Sequence, residues 1–209
     1  DPAGLEIPSM DVVDLASKYF KEITYRTPES ASFSDAFVWV WSQVESEYVF
    51  NLEDDWLLNR GISIFRMKRI LNTYGLAALR LPFRPTGSDA SKNWKYFFPW
   101  NGDYFECPRD IQISVGFCGH PSLLSGEFVK RCYPLLDPKK NPEKQFHKGG
   151  PRKLVKEVEK WRFGVYGYPN QTEPVVIDIG RKWMVKNGFR KSGNKAFFTL
   201  WESVCENEK

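Results

Sequence analysis

Residues 48–55 read Tyr-Val-Phe-Asn-Leu-Glu-Asp-Asp. A strand-forming, mostly apolar run passes without a break into three carboxylates. The run suits a strand covered on both faces. The carboxylates repel one another, so the strand must end where water or a cation relieves them. Together these demands call for a sheet buried along its length and open at one edge.

The flanking segments alternate in period. Helices are expected over 9–20, 32–44 and 62–74, the third closed by Gly75 at its C′ position. Strands are expected over 48–52 and 77–83, with a short β-prone run at 22–25. Further on, 111–117 predicts a strand, 125–136 and 152–161 predict helices, and 162–168 and 175–179 predict late strands. Gly180 opens a short helix that Asn187-Gly188 ends. This β-α-β order with short connections predicts an α/β fold, a mostly parallel sheet with helices on both faces. The 209 residues suit one domain, 1–209. Within it, 84–108 breaks the pattern with Trp94, Tyr96, Phe97, Phe98, Trp100, Tyr104 and Phe105. A loop this long and aromatic is either a folded-down lid or a surface that stacks on a ligand.

Composition excludes several classes. No run approaches the ~18 apolar residues of a membrane span, and the start does not read as a signal peptide. The four cysteines (Cys107, Cys118, Cys132, Cys205) form no CxxC pair, which argues against a zinc knuckle. A reducing, cytoplasmic setting is expected. Charge is split along the chain. Residues 1–60 hold four Lys/Arg against twelve Asp/Glu, whereas the remainder carries a net +12. An acidic part facing a basic part is what a metal ion and a polyanion would require.

Glu53-Asp54-Asp55 is the candidate metal site. Hard Mg²⁺ or Mn²⁺ prefers oxygen ligands and leaves room for substrate phosphates. Ligands of open α/β sheets bind beyond the carboxyl ends of strands, where this triplet falls.

Residues 48–56 resemble the hydrophobic strand and Asp-x-Asp-type motif of GT-A fold glycosyltransferases of the family 2-like kind, in its Glu-Asp-Asp version. The resemblance implies Mn²⁺ or Mg²⁺ held chiefly by Asp55 with Asp54. It also implies that Glu53 and Asp54 contact the nucleotide-sugar donor, a UDP-sugar first. His120-Pro121-Ser122-Leu123-Leu124-Ser125-Gly126-Glu127-Phe128 resembles the stretch before that family's acceptor-side helix. Asn141-Pro142-Glu143 stands where many members present a Glu-Asp base motif. Glu143 is therefore the first candidate base, with Glu127 and Asp137 behind it. Acceptor contacts are implied at Trp56, Ser125, Gly126 and, in the aromatic loop, Trp94 and Trp100. Either histidine, His120 or His147, could supply a late metal ligand, and His147 is the one assigned.

The chemistry implied is a single, inverting displacement. A carboxylate takes the acceptor hydroxyl's proton, and cations steady the departing diphosphate. Arg181 and Lys182, at the start of the expected short helix, are candidates for that second task. The acceptor would be a glycan, a small molecule or DNA. The family's opening strand-helix-strand unit has no counterpart in these residues. A preceding segment or a second chain is expected to complete the sheet. Two other classes compete. One is a nucleic-acid-binding or DNA-base-modifying protein, drawn from the basic remainder and the aromatic loop. The other is a non-catalytic GT-A-like interaction domain.

Overall fold

The computed structural model describes residues 9–29, 32–84, 98–195 and 198–203. Two helices come first, α1 (Ser9–Ser17) and α2 (Phe33–Ser42). Ser32 caps α2, its hydroxyl oxygen accepting from the Asp35 N–H at 3.3 Å. The apolar run forms β1 (Tyr48–Asn51), and β2 (Trp56–Leu58) follows the three carboxylates. Helix α3 (Ile64–Tyr74) stops at Gly75, whose φ of 62° is the left-handed geometry glycine adopts without a Cβ clash. Strand β3 (Leu76–Arg80) begins at the next residue. The order continues β4 (Phe105–Glu106), α4 (Gln112–Val115), β5 (Ser122–Ser125), α5 (Gly126–Cys132), α6 (Pro142–Gln145), α7 (Arg152–Val158), β6 (Arg162–Val165), β7 (Val176–Asp178), α8 (Gly180–Lys186), β8 (Phe189–Lys195) and β9 (Phe198–Ser203).

The fold is α/β. Its main sheet has the order β1-β5-β3-β6-β4, while β2 pairs with β7 and β8 with β9. Strand β5 runs antiparallel to both β1 and β3, and β4 runs antiparallel to β6. Only β3 and β6 pair in parallel among the described residues, so the sheet is mixed where a mostly parallel one was expected. The difference traces to β5. The β1-α3-β3 unit does keep its two strands in one direction, as its helical crossover demands. Residues 122–125 then insert between them, running the other way.

Two further expectations change. The alternation over 111–117 reads as a strand, yet 112–115 wind into α4. Gln112 is buried there and its amide donates to the Val158 carbonyl at 3.3 Å, while the Gly116 N–H closes on the Gln112 carbonyl at 2.7 Å. A buried amide satisfied from outside the segment outweighs a four-residue alternation. Residues 22–25 form no strand. The helix expected over 125–136 divides into α5 and a 3₁₀ turn, Tyr133–Leu135, containing Pro134, which cannot donate a helical N–H.

The two sheet faces pack differently. On one, α3 lays Met67, Ile70 and Leu71 against Leu76, Leu79, Leu81 and Leu123. Met67 and Ile70 are wholly inaccessible, and each such side chain contributes about 1.5–3 kcal/mol. On the other face Ala77 and Ala78 leave room for Phe37, Trp41, Phe117, Phe128, Phe146 and Phe163. Trp41 centres that group, its ring 5.6 Å from those of Phe117 and Phe146. No helix among the described residues is long and apolar enough to cross a membrane.

Candidate functional site

Strands β1, β3 and β6 point the same way, so their carboxyl ends share one edge of the sheet. The chain leaves β1 there as Leu52-Glu53-Asp54-Asp55. It enters the antiparallel β5 at the same edge as Cys118-Gly119-His120-Pro121. Two hydrogen bonds fasten this corner. Asn51 Nδ2 donates to the Gly119 carbonyl at 3.0 Å, and the Gly119 N–H donates to Glu143 Oε1 at 2.5 Å.

Gly119 lies between two carboxylates. A Cβ built on it would stand 2.6 Å from Glu143 Oε1 and 3.4 Å from Glu53 Oε1. The space is open only because residue 119 has no side chain. Glu53 and Glu143, ninety residues apart in sequence, thus face each other across a glycine. Burial pushes the Glu53 carboxyl up to about 7, and the charges of Glu143, Asp55 and Asp54 push the same way against an opposing effect of His120.

Asp55 sits at the junction of β2 and β7. Its carbonyl accepts from the Ile179 N–H at 2.9 Å, and Trp56 pairs in register with Asp178. Its carboxyl is raised above the ordinary aspartate range by burial, then by Asp178 and Asp54. Asp55 Oδ1 is buried and has no hydrogen-bond partner among the described residues. A Cβ at Gly180 would fall 2.5 Å from Asp55 Oδ2, so this glycine is what admits the carboxylate.

A third group fills the corner. Arg80 is 6% exposed at the end of β3 and donates from Nη1 to Cys118 Sγ at 3.0 Å. The Cys118 thiol also shares a hydrogen bond with the His120 imidazole. His120 is packed between Trp56 and Phe83, with ring centroids 5.1 and 4.7 Å away. Burial works against a Cys118 thiolate, but the Arg80 charge and the His120 hydrogen bond outweigh it and bring the thiol down to about 7. Burial likewise opposes charge on His120, whose pKa the Cys118 contact raises.

The remaining sequence candidates lie in other settings. Glu127 is exposed in the first turn of α5 and pairs with Arg131 at 2.7 Å. Asp137 pairs with Lys140 at 3.2 Å, accepts from the Lys139 N–H, and is held below the usual carboxylate range by those contacts. Ser125 caps α5 through the Phe128 N–H, and Gly126 lies so close to the Ser46 carbonyl that a Cβ would clash. His147 Nε2 bonds to the Phe117 carbonyl at 2.8 Å. Trp100 packs on Phe105 at 5.1 Å, and Trp56 lies in the corner against His120. Asp54 is exposed at the turn between β1 and β2, and Lys182 is exposed on α8. Trp94, with 85–97 of the aromatic loop, and the Arg181 side chain lie outside the described residues.

Sequence reasoning missed Arg80, Cys118 and Asp178 as site residues. A signal existed for two of them. Arg80 is the single charge within the apolar run 77–83, and Asp178 the single charge within 175–179. A charge inside a buried strand needs a partner, so it marks the place where a strand reaches other polar groups. No three His, Cys, Asp or Glu side chains form a ready metal-binding group among the described residues. Comparison with family models, with curated proteins and with solved structures finds nothing that matches this chain.

Proposed function

We propose that the chain is a metal-dependent glycosyltransferase that moves a sugar from a nucleotide-sugar donor to a hydroxyl acceptor. The observation that carries this reading is the meeting of Glu53 and Glu143 across Gly119 beside Asp55. Metal-motif and base candidates picked from separate stretches of sequence share one strand edge.

Asp55 would be the chief ligand for Mn²⁺ or Mg²⁺: it offers a buried oxygen without a hydrogen-bond partner, and the Asp178 charge acts on it from nearby. Mg²⁺ keeps several water ligands, so a complete protein cage is not required. When bound, the ion would neutralise the donor diphosphate and stabilise the charge of the leaving group.

The side chains would do the rest. Glu143, with one oxygen fixed by the Gly119 N–H, presents the other to an acceptor hydroxyl and takes its proton. Trp56, packed against His120 with ring centroids 5.1 Å apart, would give the acceptor an apolar face in this corner. Lys182, exposed on α8, would supply positive charge toward phosphate.

The test is thermal unfolding with Mn²⁺ and a panel of nucleotide sugars. A matching donor at ~100-fold its Kd should raise Tm by about 5 °C, with metal present. Asp55→Asn should remove that rise entirely. A panel in which no donor moves Tm, with or without metal, overturns the reading.

A further inference from the structure

The carboxylate chemistry leaves α7 and the loop before it unused. Residues 139–160 hold eight Lys/Arg against three Glu. Two of those acids are engaged within the fold. Glu143 accepts from the Gly119 N–H, and Glu157 is 8% exposed and bonded to Lys160 and to the Trp161 ring N–H. The cations are placed differently. Helix α7 buries Leu154, Glu157 and Val158 and turns Arg152, Lys153 and Lys156 to water, and Lys148 is exposed in the preceding loop. None of these four cationic side chains has a hydrogen bond or ion pair among the described residues. Arg109 joins them at the far end of the helix. Its guanidinium donates to the Glu159 and Trp161 carbonyls at 3.2 and 2.5 Å, so its charge meets no carboxylate there. We propose that Lys148, Arg152, Lys153, Lys156 and Arg109 form a docking surface for the phosphate backbone of duplex nucleic acid.

The backbone under these cations is pinned. The Lys148 N–H donates to the Ile113 carbonyl at 3.1 Å, and the Gly150 N–H to the His147 carbonyl at 2.9 Å. A Cβ at Gly150 would stand 1.8 Å from the Gln145 carbonyl oxygen, so the loop lies against α6 as only glycine allows. The buried Gln112 amide ties α4 to α7 at the Val158 carbonyl. A surface fixed in advance has less ordering to do when a rigid duplex arrives.

Positive charge suits any polyanion, and the rest of the face chooses among them. No large apolar side chain between Phe65 and Tyr168 is exposed among the described residues. A helix lying in an anionic membrane surface needs such side chains to enter the acyl boundary. Protein–protein interfaces are rich in aromatics and poor in lysine, the reverse of this surface. Single strands are gripped by stacked aromatic rings. Trp161, at the end of α7, instead packs edge-on against Phe128 at 5.6 Å with its N–H on Glu157. Phosphate contacts need neither apolar nor aromatic groups, and a duplex carries one charge per ~1.7 Å of axis. Asp110 and Glu159, exposed beside the cations, keep the affinity modest.

Fluorescence anisotropy of the full chain with a labelled DNA duplex tests the proposal. Kd should lie at about 1–100 µM near physiological salt and vary little with sequence. Log affinity against log salt should fall with a slope of about −3 to −4.5, as three to five phosphates are neutralised. Lys153→Gln with Lys156→Gln should weaken binding at least about tenfold at low salt and reduce the slope by about 2. Lys18→Gln with Lys21→Gln removes the same charge from exposed positions elsewhere and should change neither. On the unmutated chain, the duplex should protect Lys148, Lys153 and Lys156 from acetylation more than any other lysine, so a variant that fails to fold does not block the test. Absence of binding at low salt, equal weakening by the two pairs, protection of other lysines instead, or tighter binding to a single strand or to phosphatidylserine vesicles overturns the proposal. None of these results touches the donor-dependent rise in Tm, so the transferase reading stands or falls separately.

Discussion

At its carboxyl end β5 passes into α5 through Ser125, whose hydroxyl caps the helix, and the charged side chains of α5 have partners. Glu127 pairs with Arg131 four residues on, and Lys130 donates to the Glu45 carbonyl at 2.7 Å. At its amino end the same strand emerges from Cys118-Gly119-His120, and the charges there crowd like with like. Glu53 faces Glu143, and Asp55 faces Asp178 with one oxygen buried and unpartnered. Four residues of strand separate the two ends. The first is what a stable fold builds for itself, since a paired exposed carboxylate costs nothing and contributes a few tenths of a kcal/mol. The second is held against electrostatic cost by the surrounding packing, which is how binding and proton-transfer sites are recognised. The lesson concerns choice among carboxylates: Glu143 stood ahead of Glu127 and Asp137 only by its place in a motif, and their neighbours separate the three.

Three substitutions test that separation. The largest effect is expected at Glu143→Gln. The amide oxygen can still accept from the Gly119 N–H, so donor-induced stabilisation should survive while transfer falls about 10²–10⁴-fold in kcat. Equal loss of donor binding would make Glu143 a positioning group instead. Glu53→Gln comes next and reads the crowding directly in metal-free protein. The folded-state value of about 7 lies above the ordinary 4.5, so the folded chain holds a proton that the unfolded chain releases. Stability therefore falls as pH rises from about 4.5 to 7 and stays low above it. The variant should gain about 1–3 kcal/mol in urea unfolding at pH 8 and nothing at pH 4. An unchanged midpoint at pH 8 would put Glu53 in an ordinary setting. Glu127→Gln is the small case. Breaking its exposed pair with Arg131 should shift the urea midpoint by less than about 0.5 kcal/mol at any pH. A larger shift would erase the distinction between the two ends.

Much of the local structure was legible because it depends on near neighbours. Gly75 as a left-handed stop and β1 running into its carboxylates are both written within a few residues. What failed was decided at a distance. Residues 122–125 have no periodicity of their own, being four residues between a proline and a glycine, and they become a strand because β1 and β3 offer two open edges. Residues 112–115 alternate correctly for a strand, but Gln112 finds its partner on the Val158 carbonyl. The site divides along the same line. The Glu53-Asp54-Asp55 run was visible as a local excess of charge. Asp178 gains its meaning from Asp55 and Cys118 from Arg80, each remote from it in sequence.

Gly180 adds something about how such a chain can change over time. Its missing side chain is the room in which the whole Asp55 side chain sits, since a methyl there would press on Cβ as well as on Oδ2 and Cγ. Every residue but glycine carries that Cβ, so trimming the aspartate to alanine would leave position 180 as closed as before. The glycine answers to the course of the backbone at this corner and only secondarily to the acid. A descendant that had stopped using the carboxylate would therefore still keep the glycine as a trace of the turn.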